Sequence, residues 1–188
     1  LEVIRMSKPK TLGDLKNANC KIVSIREEMR NNLIKKLHSR EPVFDGILGY
    51  GDTVIPQVEN AVLAGQDMIF LGERGQAKSR IIRALVSLLD YETPIVEGCE
   101  INDNPFNPTC GPCMDKKAEF HDLMPISWIK RASRYSEKLA TPDITMADLI
   151  GDIDPIKIVE GRYLSDELTV HYGLIPRTNR GIFCINEL

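Results

Sequence analysis

The sequence predicts an α/β fold in which a parallel sheet carries a phosphate-binding loop, and three observations predict it. The apolar run Met68-Ile69-Phe70-Leu71 enters the octapeptide Gly72-Glu73-Arg74-Gly75-Gln76-Ala77-Lys78-Ser79. An amphipathic helical run, Ile81 to Leu89, leaves it. A second apolar run, Gly181-Ile182-Phe183-Cys184-Ile185, closes on Asn186-Glu187. A strand that ends in a Gly-rich turn and feeds a helix aims successive backbone N–H groups, with the positive end of the helix dipole, at one point where a triphosphate can sit. In that geometry Lys78 reaches the β- and γ-phosphates and Ser79 ligates magnesium. Ala77 stands where the general pattern has Gly, so the reading rests on the whole strand-loop-helix context; a strand-to-helix turn without a ligand is the alternative.

The remaining elements follow in chain order. Ser24-x-x-Glu27 has the form of a capping box, and Ile25, Met29, Leu33 and Leu37 recur at four-residue spacing, which predicts a helix ahead of the loop. Its other sides carry Arg26, Arg30, Lys35, Lys36 and Arg40, read as a solvated face, with a partner or nucleic-acid contact as the alternative. Gln57 to Leu63 reads as a second helix, stopped near Gly65. Thr93 to Glu97 reads as a second strand. More than a hundred residues separate Lys78 from Glu187, too many for a minimal core, so something is inserted between them. Thr141 to Ile150 has helix-start chemistry followed by apolar periodicity, and Tyr163 to Ile175 alternates as a hairpin does. Gly181 to Glu187 reads as a buried parallel strand whose C-terminal edge brings Asn186 and Glu187 to the loop.

A chain of 188 residues, 43% hydrophobic and 27% charged, can bury a sizeable core. The net charge of −3 gives no reason to expect a nucleic-acid surface. No apolar run has the length of a membrane span and no signal-peptide core precedes Met6, so a cytoplasmic protein is expected. Leu1 to Arg5 precede Met6-Ser7-Lys8, which reads as a natural start.

The cysteines raise a separate question. Cys110-Gly111-Pro112-Cys113 has the spacing that lets two thiolates bind one metal, and Cys99 and His121 stand close enough in sequence to complete a tetrahedron. A structural zinc there would staple a stretch rich in Asn and Pro; free thiols and an air-formed disulfide are the other readings. Thioredoxin-type chemistry is disfavoured, because no strand runs into the first Cys. Cys20 and Cys184 read as ordinary buried residues.

Three further stretches carry a resemblance: Phe44-Asp45-Gly46-Ile47-Leu48-Gly49, Asp148-Leu149-Ile150-Gly151-Asp152-Ile153-Asp154-Pro155, and His171-Tyr172-Gly173-Leu174-Ile175-Pro176-Arg177-Thr178-Asn179-Arg180-Gly181. With the loop, they make residues 42–188 resemble an AAA+ ATPase of the magnesium chelatase I-subunit type. Ala77 before the loop Lys is shared with the minichromosome maintenance helicases. The resemblance implies a P-loop NTPase core of three αβα layers, with residues 1–41 as a helical extension and an inserted hairpin over Arg162 to Tyr172 as a moving contact element. It implies ATP and magnesium as cofactors, contacts from Gly72, Glu73, Arg74, Gly75, Gln76, Ala77, Lys78, Ser79 and Arg80, and magnesium held by Ser79 and Asn186. Glu187 would orient the attacking water beside Lys78. Leu48 to Ile55 would lie near the adenine. Ring self-association and a von Willebrand A-type partner subunit are likewise implied. Asn186 stands where an Asp is usual and brings no charge, which predicts weaker magnesium binding and admits a second reading, a nucleotide-responsive scaffold with slow hydrolysis. His171 is read as a contact at a subunit interface or in the inserted hairpin, or as a hydrogen-bonded structural histidine; Arg177 and Arg180 would face the neighbouring nucleotide in a ring, or pair with local carboxylates such as Asp152 and Asp154. The sensor residue, arginine finger and lid of such proteins would lie past Leu188, so this chain is expected to bind nucleotide poorly and to turn over little ATP by itself.

Overall fold

The computed structural model describes residues 8–154 and 169–187. The expectations for residues 1–5, and for all but the end of the hairpin at Arg162 to Tyr172, fall outside them. In chain order the structure has α1 (Leu12–Asn17), α2 (Ile25–Ser39), α3 (Val54–Ala64), α4 (Lys78–Ala84, prolonged by a 3-10 turn over Leu85–Leu88) and β1 (Glu92–Val96). Then come α5 (Gly111–Phe120), β2 (Ile126–Lys130), β3 (Tyr135–Leu139), α6 (Met146–Leu149), β4 (Gly151–Ile153), β5 (Val170–Tyr172), α7 (Leu174–Arg177) and β6 (Ile182–Asn186). Among the described residues β1 pairs with β2, β3 runs parallel to β6, and β4 runs antiparallel to β5. The architecture is mixed α/β with a small parallel sheet. The chain groups into two compact units, one of residues 8–22, 94–129, 143–154 and 169–179, the other of residues 23–93, 130–142 and 180–187.

The second unit holds the loop. α2 starts where Ser24 predicts: its Oγ accepts the N–H of Glu27 at 3.3 Å. α3 begins three residues earlier than expected and ends on Gly65, left-handed at φ 66°. Leu33 from α2, Val58 and Val62 from α3, and Ile81, Leu85 and Leu88 after the loop bury together with Val43 and Phe44. Met68 and Phe70 pack against this cluster, while Ile69 and Leu71 are 84% and 89% exposed. The run therefore alternates as a strand does, but has no ladder partner among the described residues, a departure from the strand expected there. β6 forms as expected. Its neighbour is β3, in register Glu137 to Cys184 and Leu139 to Asn186, and not the Thr93 to Glu97 strand, which pairs with β2. β3 escaped the sequence reading because Tyr-Ser-Glu-Lys-Leu has no apolar alternation; its residues are half-buried or exposed.

One ion pair sits inside this unit. Arg134 is 1% exposed and Glu28 6%. Nη1 and Nη2 of Arg134 donate to the two carboxylate oxygens of Glu28 at 2.7 and 2.6 Å, and Nε donates to the carbonyl of Arg180 at 2.8 Å. Glu28 also accepts the N–H of Asp90 at 2.7 Å. This planar fork-to-fork geometry satisfies both charges.

In the first unit, Thr11 and Asp14 form a reciprocal capping box that opens α1. Thr145 and Asp148 do the same for α6, so that helix is capped four residues after Thr141 and starts at Met146. Gly151, at φ 126°, lets β4 approach β5: a Cβ there would lie 2.3 Å from the carbonyl oxygen of His171. Leu12, Val96, Cys110, Cys113 and Met124 form the core of this unit.

Removing one partner of the buried pair strands the other charge. Arg134→Met is expected to cost about 3–5 kcal/mol in urea unfolding, and Glu28→Met/Arg134→Met to recover most of that loss. A single-variant loss below about 1 kcal/mol, the range of an exposed pair, would refute this account.

Candidate nucleotide cleft and thiol cluster

The loop from Gly72 to Ala77 is closed by its own side chains. The N–H of Glu73 donates to Oε1 of Gln76 at 3.1 Å, and the Tyr50 hydroxyl donates to the Gln76 carbonyl at 3.2 Å. Gln76 crosses so close to Gly72 that a Cβ at Gly72 would lie 2.2 Å from its Oε1. Nζ of Lys78 turns back into the loop and donates to the carbonyls of Gly72 and Glu73 at 2.7 and 2.6 Å. Ala77, the N-cap of α4, is left-handed at φ 57° and ψ 15°. That conformation costs an L-residue about 1–2 kcal/mol and Gly nothing, which explains the usual Gly. The first-turn N–H groups of α4, on Lys78, Ser79 and Arg80, have no acceptor within the helix. An ammonium and these N–H groups face the same loop, a donor set that fits a polyphosphate.

A cleft of about 1350 Å³ joins the loop to the end of β6: Lys78, Ser79, Asn186 and Glu187 all line it, with Arg74, Arg83 and Glu137. Glu187, left-handed at φ 58°, has its carboxylate 4.0 Å from Nη2 of Arg74, both largely exposed. Asn186 is engaged elsewhere, because its Nδ2 donates to Oε1 of Glu137. Glu137 is the centre of a network that the sequence did not reveal. Arg83 clasps it through Nε and Nη2, each at 2.8 Å, and the Tyr135 hydroxyl donates to it at 2.9 Å. The Arg83 bond does most to pull the Glu137 carboxyl from its ordinary 4.5 down to about 2. Burial, followed by the same carboxylate, pushes the Tyr135 hydroxyl up. The available signal was Arg83, about one turn past the loop lysine; its partner Glu137 lies beside Tyr135 on one face of β3, a strand that the sequence pattern does not show.

The first unit gathers Cys99, Asp103, Cys110 and Cys113, whose ligand atoms all lie within 4.8 Å of one another. Cys99 Sγ and Cys110 Sγ are 3.9 Å apart, and all three cysteines are free thiols. Burial pushes the Cys110 and Cys113 thiols well above their ordinary value. Asp103, 1% exposed, accepts from the Thr109 and Cys110 N–H groups at 2.9 Å each and from the Thr109 hydroxyl at 2.6 Å. His121 is exposed at the end of α5 and is not in this group, so Asp103 stands where the histidine was expected. Its signal was the Asn-Asp-Asn turn, which reads as loop chemistry.

The other candidates are placed as follows. His171 is exposed on β5, opposite Asp152. Arg177 is exposed and its carbonyl accepts Nδ2 of Asn102 at 2.7 Å. Nη2 of Arg180 donates to the Thr93 hydroxyl at 2.9 Å. Cys184 is buried and Cys20 half-buried. No helix of the described residues is long and apolar enough to cross a membrane.

A mixed α/β protein with a Gly-rich loop opening a helix into a cleft is what the fold and site define. Among curated proteins, the chain is similar to the Magnesium-chelatase subunit ChlI homolog of Methanocaldococcus jannaschii, at 30% identity over 122 residues. The match covers 64% of this chain and 30% of that protein. No family model matches the chain, and no solved structure does.

Because the folded Glu137 carboxyl titrates below its ordinary value, its contribution to stability is complete above that value and fades as pH falls toward about 2. The stability gap between the native chain and Glu137→Gln, followed by urea unfolding, is therefore expected to be largest near neutral pH and to shrink in acid. A gap independent of pH would show that the carboxylate charge is not what holds the network.

Proposed function

We propose that the Gly72 to Ser79 loop binds ATP with magnesium, and that the chain is the nucleotide-binding part of an AAA+ ATPase of the magnesium chelatase I-subunit type. Such a protein would act in a ring, on a three-layer core, and remodel a partner, with a von Willebrand A-type subunit as the partner class the resemblance suggests. The observation that carries this reading is the Lys78 ammonium turned into a Gly-rich loop at the start of α4, in the same cleft as Asn186 and Glu187. The AAA+ resemblance of residues 42–188 is what favours ATP over other polyphosphates, and the similarity to the chelatase subunit homolog agrees with that resemblance.

In this reading Lys78 and the loop N–H groups bind the phosphates, Ser79 holds magnesium, and Glu187 accepts a hydrogen bond from the attacking water and aims it. Magnesium, when bound, neutralises charge on the phosphoryl oxygens. Asn186 adds no charge and its amide N–H is committed to Glu137. That contact favours a second reading, a nucleotide-responsive scaffold in which hydrolysis is slow.

Calorimetry of magnesium-ATP binding, beside Lys78→Ala, tests the first reading. Losing a charge-assisted contact of about 1.5–3 kcal/mol should weaken binding by about tenfold or more. Equal binding by both would remove the loop from the site. The two readings separate at Asn186. Asn186→Asp alone sets a second carboxylate against Glu137 and should destabilise the protein without raising turnover. If the missing charge limits hydrolysis, adding Asn186→Asp to Glu137→Gln should raise turnover by about tenfold, equivalent to about 1.4 kcal/mol; unchanged turnover would count against the scaffold reading.

A further inference from the structure

We propose that Cys99, Asp103, Cys110 and Cys113 hold a structural zinc ion. The spacing is that of a closed tetrahedral site. With zinc–sulfur bonds of about 2.3 Å, two thiolates of one tetrahedron lie about 3.8 Å apart, and Cys99 and Cys110 lie 3.9 Å apart. All four ligand atoms fit within 4.8 Å. A disulfide would consume two thiols and leave a third, with a buried carboxylate beside it; a metal uses all four.

Burial alone disfavours free thiolates here, and a bound cation would offset that cost; the surroundings add donors and positive charge. Cys110 is the N-cap of α5, a helix of ten residues, and Cys113 lies in its first turn, where N–H groups and the helix dipole stabilise negative charge. The N–H of Asp103 donates to Cys99 Sγ at 3.4 Å. Three donors from Thr109 and Cys110 fix the Asp103 carboxylate, the kind of outer contact that orients a metal ligand. Lys116 and Lys117 reach back from α5 to the carbonyls of Glu97 and Phe106 at 3.0 and 2.7 Å, bringing two cations to the segment that carries four anionic ligands.

The ligand set selects the metal. Three sulfurs exclude magnesium and calcium, and a single carboxylate in place of a fourth thiolate is poor for an iron–sulfur cluster and suited to zinc. The need is visible in the fold. Between β1 and α5 the chain has no regular helix or strand, and the core it rests on is small. Zinc binding would supply folding energy there.

The test is metal analysis of the full chain purified under reducing conditions without chelator, followed by exchange into cobalt. About one equivalent of zinc is expected, with a thiolate-to-cobalt charge-transfer band and tetrahedral ligand-field bands. Cys110→Ser and Cys113→Ser should abolish the charge-transfer band or reduce it strongly, and Asp103→Asn should weaken zinc affinity by about 10–100-fold while keeping the sulfur band. Zinc below about a tenth of an equivalent with no cobalt bands in the native chain would overturn the site whatever the variants do. A Cys99–Cys110 disulfide in metal-free, freshly purified protein would overturn it too.

Discussion

The second unit depends on one buried ion pair, Glu28 with Arg134. Few constraints in the unit reach so many elements. Glu28 is on α2, Arg134 immediately precedes β3, the Arg180 carbonyl bound by its Nε lies in the turn before β6, and the Asp90 N–H ends the segment that follows α4. Two charges removed from water are tolerated because each nitrogen of the guanidinium and each oxygen of the carboxylate has a hydrogen-bond partner. Four segments far apart in sequence are thereby set in one place, a task that an apolar contact, which lacks direction, would perform less specifically.

From that fixed point the cleft follows. β3 and β6 leave the Arg134 cluster side by side and in parallel, so Glu137 emerges beside Cys184 and near Asn186. Arg83, one turn beyond the loop lysine, meets Glu137 and ties α4 to the strand pair. The C-terminal side of the loop is therefore carried by an anchored helix. Such anchoring is what a strained residue needs, and left-handed Ala77 stands at the N-cap of that helix.

Local signals in the sequence were legible and long-range ones were not. Ser24, Gly65 and the loop-to-helix junction at Lys78 declare themselves through short-range hydrogen bonds and backbone preference, and the structure forms each of them. β6 shows as an apolar run ending in polar residues. β3 did not, because a half-buried strand whose neighbour lies far along the chain needs no apolar pattern of its own. Met68 to Leu71 carries the pattern of a strand without a ladder partner among the described residues, since periodicity reports burial and not pairing. Cys99, Cys110 and Cys113 were found by type and spacing. Asp103 was not, because a buried carboxylate held by three donors looks in sequence like any turn residue.

Asn186 is best understood through its neighbour. A carboxylate ionised down to about pH 2 can only accept hydrogen bonds, so the amide nitrogen of Asn186, not its oxygen, must face Glu137. The oxygen is then directed to the Cys184 side, where the thiol lies 3.4 Å away. An Asp at 186 would have no proton to offer Glu137 and would add a second negative charge beside it. Given Glu137 and its Arg83 clasp, the amide is the residue that completes the network. The missing charge at the end of β6 and the carboxylate on β3 are thus one feature, and a change at either position is read correctly only with the other in view.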